Sequence, residues 1–472
     1  MSLRDILSLG REYLSLGIIV ALFVIVLFLG YYFFYYKKHQ NKRLNIRKML
    51  MYGAFICYMV VVVCVTMLRG GVFWQQSRVM PLFYSYREAW NSFAAVDWRN
   101  IILNILMFVP FGFLLPFLSE RFQKFWTTYL AGFLFTLLIE SVQLIFKIGV
   151  FECDDLMNNF LGAMIGYGCY RIVRFVIEKV KRKEGKVLPM LCAQIPTVTV
   201  IALFAVIFGV YNGKELGNLG CDYILKLKNV EVESEITFSA EKDTAMVYQL
   251  SVSDSEETRK LAEEIFGKMG LEIDDSRTIL YDDTAIYYST DTNEDSKSLW
   301  IDYMGNTFSY TDFARFTEED EAEIEQNTGA DESEIRSVLE SMGIYVPMVA
   351  SFQYDEKNAC YLFAANSDIE DQKLYQGSVT CEYAINGKML DIQYYMYEYE
   401  AYKEFPIISQ QEAFEKLEDG MFQYTQADSY EIKVEQILLE YHTDSKGFYQ
   451  PVYQFVGTVN GEEAVISIPA IE

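Results

Sequence analysis

Histidine is almost absent from this sequence: only His39 and His442 occur among 472 residues. Two widely separated histidines argue against a histidine-based metal site and against a Ser/His/Asp triad. The eight cysteines form no Cys-x-x-Cys spacing and no Cys/His cluster, which argues against zinc. The sequence also contains no Gly-x-Ser-x-Gly motif and no glycine-rich phosphate loop. We therefore expect no metal, no cofactor and no catalytic residue set, and we favour a protein that is not an enzyme.

Basic residues are scarce in the second part of the chain. Up to Tyr211 the sequence has 22 Lys and Arg against 11 Asp and Glu, a net charge of +11. The rest holds 18 of the 40 basic residues and 54 of the 65 acidic ones, a net charge of −36. Such an acidic part repels nucleic acid, and the contrast indicates two different surroundings. We therefore predict no nucleic-acid partner and two or three domains.

Long apolar runs, by contrast, are abundant in the first part. Six of them approach the roughly 20 residues that cross a bilayer. They are about 14–36, 49–68, 100–118, 126–146, 155–177 and 188–211. The first run is too long and too aromatic at its end for a cleavable signal peptide. The sequence predicts a multi-pass protein of the cell membrane whose first segment is retained as an anchor.

Lys and Arg in the short loops indicate the orientation of the spans. With six spans, three basic segments fall on one side: 37–48, 119–124 and 178–186. That side is predicted to be cytoplasmic. The loops 69–99 and 147–154 and everything after Tyr211 are then predicted to lie outside.

The predicted fold class is multi-domain. An all-α polytopic transmembrane bundle of about six helices precedes an extracytoplasmic α+β region of two or three helix-on-antiparallel-sheet units. The predicted domains are an anchor with a basic loop (1–48), a transmembrane bundle (49–211) and the acidic region with weak internal repeats (212–472).

Polar side chains interrupt three of the predicted spans near their outer ends. Counted at 1.5 Å per residue, they lie within roughly 10 Å of the outer boundary. The set is Asn104, Glu140, Gln143, Asp155 and Asn159. Ionisable groups inside a membrane usually face a bundle interior or a watery cavity. Two interpretations stay open: the groups cross-link the helices, or they form a pocket for the polar head of a lipid-linked molecule.

Glycine and proline in the same spans have structural meaning. Gly162 and Gly166 form a G-x-x-x-G pair, which lets helices approach closely. Pro110 cannot donate a helix hydrogen bond, so the third span is expected to kink or break there, with Gly112 adding close approach. Two interpretations of Pro110 stay open: an ordinary proline kink and a gating hinge.

Three sequence blocks together resemble the signature of VanZ-like membrane proteins. The blocks are ILNILMFVPFGFLLPF (102–117), ESVQLIF (140–146) and DDLMNNFLGAMIGY (154–167). The resemblance covers roughly residues 50 to 177. Its matching positions are Asn104, Phe108, Pro110, Phe111, Gly112, Glu140, Gln143, Asp155, Asn159, Gly162 and Gly166. The resemblance implies a setting at the outer membrane face and a link to teicoplanin resistance, with no defined biochemical activity.

Two positions depart from the family pattern. Val150 stands where many members carry Arg before the aspartates, and Phe160 replaces a common Thr. If a basic residue there helps to hold an anionic head group, this chain binds it differently or not at all.

The acidic part contains three amphipathic helix windows, each of which ends at a glycine. The windows are 253–270, 330–343 and 409–420, and the last opens with Ser409 and Glu412 in capping-box spacing. Their glycines, Gly270, Gly343 and Gly420, recur at similar spacing, which indicates a weak internal repeat.

Alternating runs between the helices predict antiparallel strands. These runs are 279–289, 298–310, 378–398, 432–441 and 448–468. Asn386-Gly387 and Asn460-Gly461 are suited to hairpin turns. Cys360 and Cys381 fall in strand-like runs outside the membrane, where a disulfide between them is chemically feasible.

The last unit resembles PepSY-like and YycI-like extracytoplasmic domains of Gram-positive bacteria. The resemblance rests on ISQQEAFEKL followed by PVYQF. It implies a regulatory or binding role, and no active residues carry over.

The favoured function is a non-catalytic protein of the bacterial cell envelope. Its expected partners are membrane lipids and a lipid-linked peptidoglycan precursor or another envelope protein, and it is expected to lower glycopeptide sensitivity of the teicoplanin type. One alternative is an intramembrane enzyme with Glu140 as general base. Another is an extracytoplasmic sensor that regulates a membrane kinase.

Overall fold

The computed structural model describes residues 46–67, 79–181, 186–223, 226–290, 296–313, 326–425 and 427–472. The chain divides into two compact units, Met1–Glu215 and Leu216–Glu472. Each unit is described by itself. The predicted span at 14–36, and with it most of the predicted anchor 1–48, lies outside the described residues.

The first unit is helical. Its helices are α1 (Ile46–Met67), α2 (Tyr84–Ser92), α3 (Ala95–Leu118), α4 (Phe125–Phe146), α5 (Cys153–Val180), α6 (Val187–Cys192) and α7 (Ile195–Gly213). Two short strands, β1 (Val79–Met80) and β2 (Phe151–Glu152), pair in parallel. A 3-10 turn at Glu120–Gln123 joins α3 to α4.

Within the described ranges of this unit, four segments are long and apolar enough to cross a membrane: Ala95–Leu118, Phe125–Phe146, Cys153–Val180 and Val187–Gly213. They correspond to the third to sixth predicted spans. The second predicted span, 49–68, corresponds to α1, whose apolar part is the shorter helix Met51–Thr66. The length and apolar character of these helices fit a membrane protein, while the count of about six spans stays a prediction.

The last of the four segments is two consecutive helices, α6 and α7. Ala193 and Gln194 form a turn between them, and Pro196 lies in the first turn of α7. Because proline has no backbone N–H, Pro196 suits the first turn of a helix, where that N–H would have no acceptor within the helix. The Gln194 side chain donates to the Gly168 carbonyl of α5 at 3.0 Å and so ties this turn to the bundle.

Helices α3 and α5 are in direct backbone contact. A Cβ atom built on Gly166 would lie 2.0 Å from the Val109 carbonyl oxygen, and one on Gly112 would lie 1.9 Å from the Ala163 oxygen. Only glycine fits such an approach without moving a backbone. Buried Phe108, Phe111 and Leu115 of α3 fill the space beside this contact.

Helix α3 passes Pro110 and Pro116 without interruption, so the expectation of a break at Pro110 is wrong, while a kink there stays a prediction. The Tyr58 hydroxyl of α1 donates to the Met107 carbonyl, in the turn before Pro110, at 2.9 Å. A side chain from another helix thus hydrogen-bonds backbone beside the proline.

The second unit is a sheet with helices packed on it. The helices are α8 (Ser255–Lys268), α9 (Glu332–Ser341) and α10 (Gln410–Glu418). The strands are β3 (Val230–Ser234), β4 (Asp243–Leu250), β5 (Ile279–Leu280), β6 (Thr284–Tyr288), β7 (Lys297–Asp302), β8 (Phe308–Asp312), β9 (Ser351–Asp355), β10 (Cys360–Glu370), β11 (Lys373–Tyr383), β12 (Met389–Ile407), β13 (Tyr430–Thr443), β14 (Phe448–Val459) and β15 (Glu462–Pro469).

These strands form one mixed 13-stranded sheet and not two or three separate sheets. Strand β12, with 19 residues, is the reason. Its first half pairs with β11 and β8, and its second half pairs with β4. Strand β12 therefore connects the part of the sheet that contains β8 and β11 to the part that contains β4. The pairs are antiparallel except β3 with β13, which is parallel. Helix-on-sheet packing is confirmed, but the sheets of the predicted units are continuous.

Two of the hydrophobic clusters that the structure describes lie between this sheet and its helices. Helices α8 and α9 bury Ile265, Phe266, Ile335 and Leu339 over β6, β7, β8 and β10. Helix α10 buries Leu417 and its neighbours over β13, β14 and β15. The local predictions are confirmed at these helices.

The helix ends and hairpin turns also follow the sequence signals. The capping box of Ser409 and Glu412 is present, and Gly270, Gly343 and Gly420 all have positive φ at the helix ends. Asn460 and Gly461 both have positive φ in the β14–β15 turn, as a type I′ hairpin requires.

Cys360 and Cys381 are both free thiols, so the disulfide considered for them is absent. In the β10–β11 register Cys381 lies opposite Tyr361, one residue after Cys360. Because successive residues point to opposite faces of a sheet, the two thiols lie on different faces.

Candidate functional site

Polar side chains gather where α3 and α5 begin and α4 ends. We call this group the polar end cluster and define it as Tyr86, Asn104, Glu140, Glu152, Asp154, Asp155, Asn158 and Asn159. The segment before α2 reaches this end because β1 pairs with β2, which immediately precedes α5. Helices α3, α4 and α5, the short helix α2 and strand β2 therefore all contribute to this group.

Asn104 and Asp155 join α3 to α5. The Asn104 amide nitrogen donates to a carboxylate oxygen of Asp155 at 2.5 Å. Both side chains are half-buried. A hydrogen bond with a carboxylate is among the stronger ones that proteins make, so this contact fixes the two helices at one level.

Glu140 joins α4 to the start of α5. Its side chain is 2% exposed, and one carboxylate oxygen accepts from the Glu152 backbone N–H at 3.2 Å. Asp155 lies within electrostatic range of it. The structure thus brings Asn104, Glu140 and Asp155 together.

Asp154 performs a role that sequence reasoning did not assign to it. Its two carboxylate oxygens accept from the backbone N–H groups of Phe83 and Ser85, at 2.5 and 2.8 Å. These N–H groups belong to the start of α2, whose own N-cap residue, Phe83, offers no side-chain acceptor. A carboxylate from another helix therefore caps α2.

Glu152 and Ser85 extend the cluster outside the long helices. The Ser85 hydroxyl donates to Glu152 Oε2 at 3.2 Å. Burial raises the pKa of Glu152 above its ordinary value, and the hydrogen bond from Ser85 opposes that rise. The cluster contains four carboxylates, those of Glu140, Glu152, Asp154 and Asp155. The hydrogen bonds that the structure describes for them come from backbone amides and neutral side chains.

Asn158 and Asn159 are both almost completely buried and only partly satisfied. Asn158 Oδ1 accepts from the Tyr86 hydroxyl at 2.6 Å, and Asn159 Nδ2 donates to the Thr136 hydroxyl of α4 at 3.0 Å. Asn158 Nδ2 and Asn159 Oδ1 have no hydrogen-bond partner among the described residues. A buried polar atom without a partner costs about 1–3 kcal/mol, so this end of α5 retains unused hydrogen-bonding capacity.

Gln143 lies apart from the other four predicted site residues. Its amide donates to the Thr66 carbonyl of α1 at 3.1 Å, and the same side chain lies beside Gly149. It therefore joins α4 to α1 and not to α3 or α5.

The two departures from the family pattern have different surroundings. Phe160 packs edge-on against Tyr129 and Phe133 of α4, so its ring belongs to an aromatic contact between helices. Val150 is half-buried immediately before β2. Neither side chain adds a charge to the cluster.

Sequence reasoning missed Tyr86, Glu152, Asp154 and Asn158 of the cluster, and Ser85 beside it. The signals were weak but present: two adjacent aspartates, of which one has to face another partner, and a polar stretch SYRE at 85–88 in a predicted loop. Within the described ranges, no group of three or more His, Cys, Asp or Glu side chains is arranged as metal ligands.

The fold and the cluster define a helical membrane protein with a buried polar group at one end of its bundle and a second unit built on a sheet. Comparison with known proteins identifies the membrane part. Residues 55–174 match the VanZ/LLP1 family model, and Protein VanZ of Enterococcus faecium is 28% identical over 130 residues, 26% of this chain and 74% of that protein. The VanZ-like character of this segment is confirmed.

Two solved structures are similar to larger parts of the chain. An uncharacterized protein from Eubacterium rectale has 13% identity and a TM-score of 0.22, covering 51% of this chain and 88% of that one. The YpeB C-terminal domain of Bacillus megaterium has 14% identity and a TM-score of 0.20, covering 47% and 94%. This level of likeness does not define a shared fold.

Proposed function

We propose that this chain is a cell-envelope membrane protein that binds the polar part of a lipid-linked wall precursor at the polar end cluster. By occupying or screening that precursor, it lowers sensitivity to glycopeptides of the teicoplanin type. The proposal places the cluster and the second unit on the extracytoplasmic side, as the basic loops predict.

The observation that carries the proposal is the pair of buried asparagines beside the carboxylates. Asn158 Nδ2 and Asn159 Oδ1 lack partners among the described residues, although both side chains are at most 2% exposed. A purely structural cross-link between helices would satisfy such atoms. A ligand that supplies one acceptor and one donor would satisfy both.

The chemistry of the cluster indicates which part of a precursor fits. Glu140, Glu152, Asp154 and Asp155 supply carboxylate oxygens, which accept hydrogen bonds when ionised and repel anions. The cluster therefore favours hydroxyl, amide N–H or ammonium groups over phosphate. In a lipid-linked wall precursor such groups belong to the sugars and the stem peptide.

A resistance assay with matched variants tests the proposal. Cells express the wild-type chain, Asp155→Ala, Glu140→Ala or Glu178→Ala at equal protein levels, and teicoplanin susceptibility is measured. Glu178 is a carboxylate of the same helix as Asp155, but at its opposite end in an ion pair with Arg174. We expect the first two variants to lose protection and Glu178→Ala to keep it.

Equal protection by all four chains would rule out a role for the cluster. Purified full-length chain, mixed with labelled lipid-linked precursor, then separates binding from catalysis. Stoichiometric capture without turnover agrees with the proposal. Turnover that Glu140→Gln abolishes would replace it with the intramembrane enzyme.

A further inference from the structure

The second unit contains a cleft that the proposed function does not use. It has a volume of about 630 Å³, within the range of small-ligand pockets. Strands β12, β13 and β14 supply four tyrosines to it: Tyr397, Tyr399, Tyr441 and Tyr449. All of its lining residues belong to the second unit.

Two of the four tyrosines form the floor of the cleft, and the other two, Tyr397 and Tyr441, form its walls. Tyr399 and Tyr449 are 2% and 5% exposed and stack on each other with ring centroids 4.5 Å apart, so they form the floor. The ring centroids of Tyr441 and Tyr449 are 5.2 Å apart, and those of Tyr397 and Tyr399 are 6.3 Å apart. Tyr397 and Tyr441 are half-buried, which leaves part of each ring available to a ligand.

Hydrogen-bonding groups surround the rings. The Tyr399 hydroxyl and Thr443 Oγ1 are 2.8 Å apart, and the Tyr449 hydroxyl donates to Gln376 Oε1. His442 contacts the Gln454 amide at 3.1 Å. These contacts hold the floor in place, while the half-exposed Gln376, His442 and Ser467 offer further polar atoms at the surface of the cleft.

The lining carries no formal charge. Among the described residues that line the cleft, no side chain is Asp, Glu, Lys or Arg. Burial lowers the pKa of His442 below its ordinary value, with Glu440 opposing that shift, which favours the neutral imidazole. The cleft thus differs from the rest of the part of the chain after Tyr211, whose net charge is −36.

We infer that this cleft is a binding site for an uncharged saccharide. The C–H face of a pyranose ring packs on half-exposed tyrosine rings, and its hydroxyls exchange hydrogen bonds with amide, hydroxyl and imidazole groups. A polyanionic glycan is disfavoured by the acidic surroundings, and a cation would find no carboxylate in the lining.

Binding of defined tetrasaccharides to the full-length chain in nanodiscs tests this inference. The probes are the tetramer of N-acetylglucosamine, the uncharged maltotetraose, and the deacetylated glucosamine tetramer, which is cationic. Titration calorimetry is expected to show saturable binding of at least one uncharged tetramer, with little dependence on salt. Failure of both uncharged probes to bind, or binding of the cationic probe alone, would overturn the inference.

Variants of the cleft tyrosines test whether the tetrasaccharides bind in the cleft. Tyr397→Ala and Tyr441→Ala are each expected to weaken binding about tenfold, the equivalent of one lost aromatic contact, while Tyr441→Phe keeps most of it. Tyr281→Ala is the matched control, because Tyr281 is 56% exposed and does not line the cleft. Circular dichroism checks that each variant is folded. Unchanged affinity in a folded Tyr397→Ala/Tyr441→Ala double variant would contradict the assignment, whatever the outcome of the teicoplanin assay.

Discussion

Gly162 of α5 lies directly against the carbonyl oxygen of Ile105 of α3. A Cβ atom built on Gly162 would come within 2.0 Å of that oxygen, which no real contact allows. The VanZ-like segment therefore depends on two helices whose backbones touch, and the polar end cluster is placed by this contact. Several of its consequences can be measured.

Replacing Gly162 by alanine should destabilise the helical unit. The added methyl forces α3 and α5 apart, because the obstructing atom is backbone and cannot rotate away. The cost of overpacking is about 1–3 kcal/mol or more. Thermal unfolding of the purified chain in detergent measures the effect. Gly209→Ala of α7 is the control, since nothing lies within 4 Å of its Cβ position, and it should leave stability unchanged or slightly higher.

The pair Asn104 and Asp155 should show an interaction energy of its own. Hydrogen bonds between helices in membranes contribute about 0.5–2 kcal/mol. A double-mutant cycle with Asn104→Ala, Asp155→Ala and the double variant measures the coupling. We expect the double variant to lose less stability than the two single variants together. Strictly additive losses would show that the contact contributes nothing.

Removing the Asp154 carboxylate should loosen α2 while leaving α5 intact. Asp154→Ala leaves the N–H groups of Phe83 and Ser85 without their acceptor, and loss of a helix cap costs about 0.5–2 kcal/mol. Hydrogen–deuterium exchange at residues 83–88 is expected to accelerate. Glu120→Ala, an exposed carboxylate in the 3-10 turn, should leave that exchange unchanged.

Asp444 should be important for the stability of the second unit. Its buried carboxylate accepts from the Gly217, Lys446 and Phe448 backbone N–H groups and from the Gln450 amide. Asp444→Ala leaves these donors unpaired, which we expect to lower the free energy of unfolding by about 1–3 kcal/mol. Urea unfolding followed by near-ultraviolet circular dichroism measures it. The exposed Glu463→Ala should unfold at the wild-type midpoint.

Asp254, the N-cap residue of α8, should make the thermal stability of the second unit depend on pH. Backbone N–H groups of Glu257 and Glu256 lower the pKa of Asp254 below its ordinary value of 3.8. A carboxylate whose pKa is lowered by folding stabilises the folded state above its unfolded-state pKa, and this contribution disappears as the pH falls through the folded-state pKa. Wild type should therefore melt above Asp254→Asn at pH 6, and the two melting temperatures should converge on acidification below pH 3.8. A difference that is constant with pH would contradict this origin.

Local sequence signals predicted the local structure of the second unit well. Ser409 with Glu412, the three terminating glycines and Asn460-Gly461 each act through their own backbone, so a short stretch of sequence is enough. The joining of the strands into one sheet was not predictable in this way. It depends on β12 being long enough to pair with β8 along one part and β4 along another, and a register between distant strands has no local signal.

In the candidate site the helix periodicity placed Asn104, Glu140 and Asp155 at one level, and the structure brings these three together. Periodicity could not show that Asp154 faces α2 or that Gln143 faces α1. These directions depend on segments 69 and 77 residues away in the chain.

Hydropathy and charge along the chain were enough to predict an apolar helical part with polar groups near the helix ends, followed by an acidic α+β part. Hydropathy, charge and capping act over a few residues and can be read directly. Packing established which polar atoms meet, which asparagine atoms lack partners among the described residues and where tyrosines of three strands line a cleft. Those outcomes depend on distances between residues far apart in the chain, and packing sets those distances.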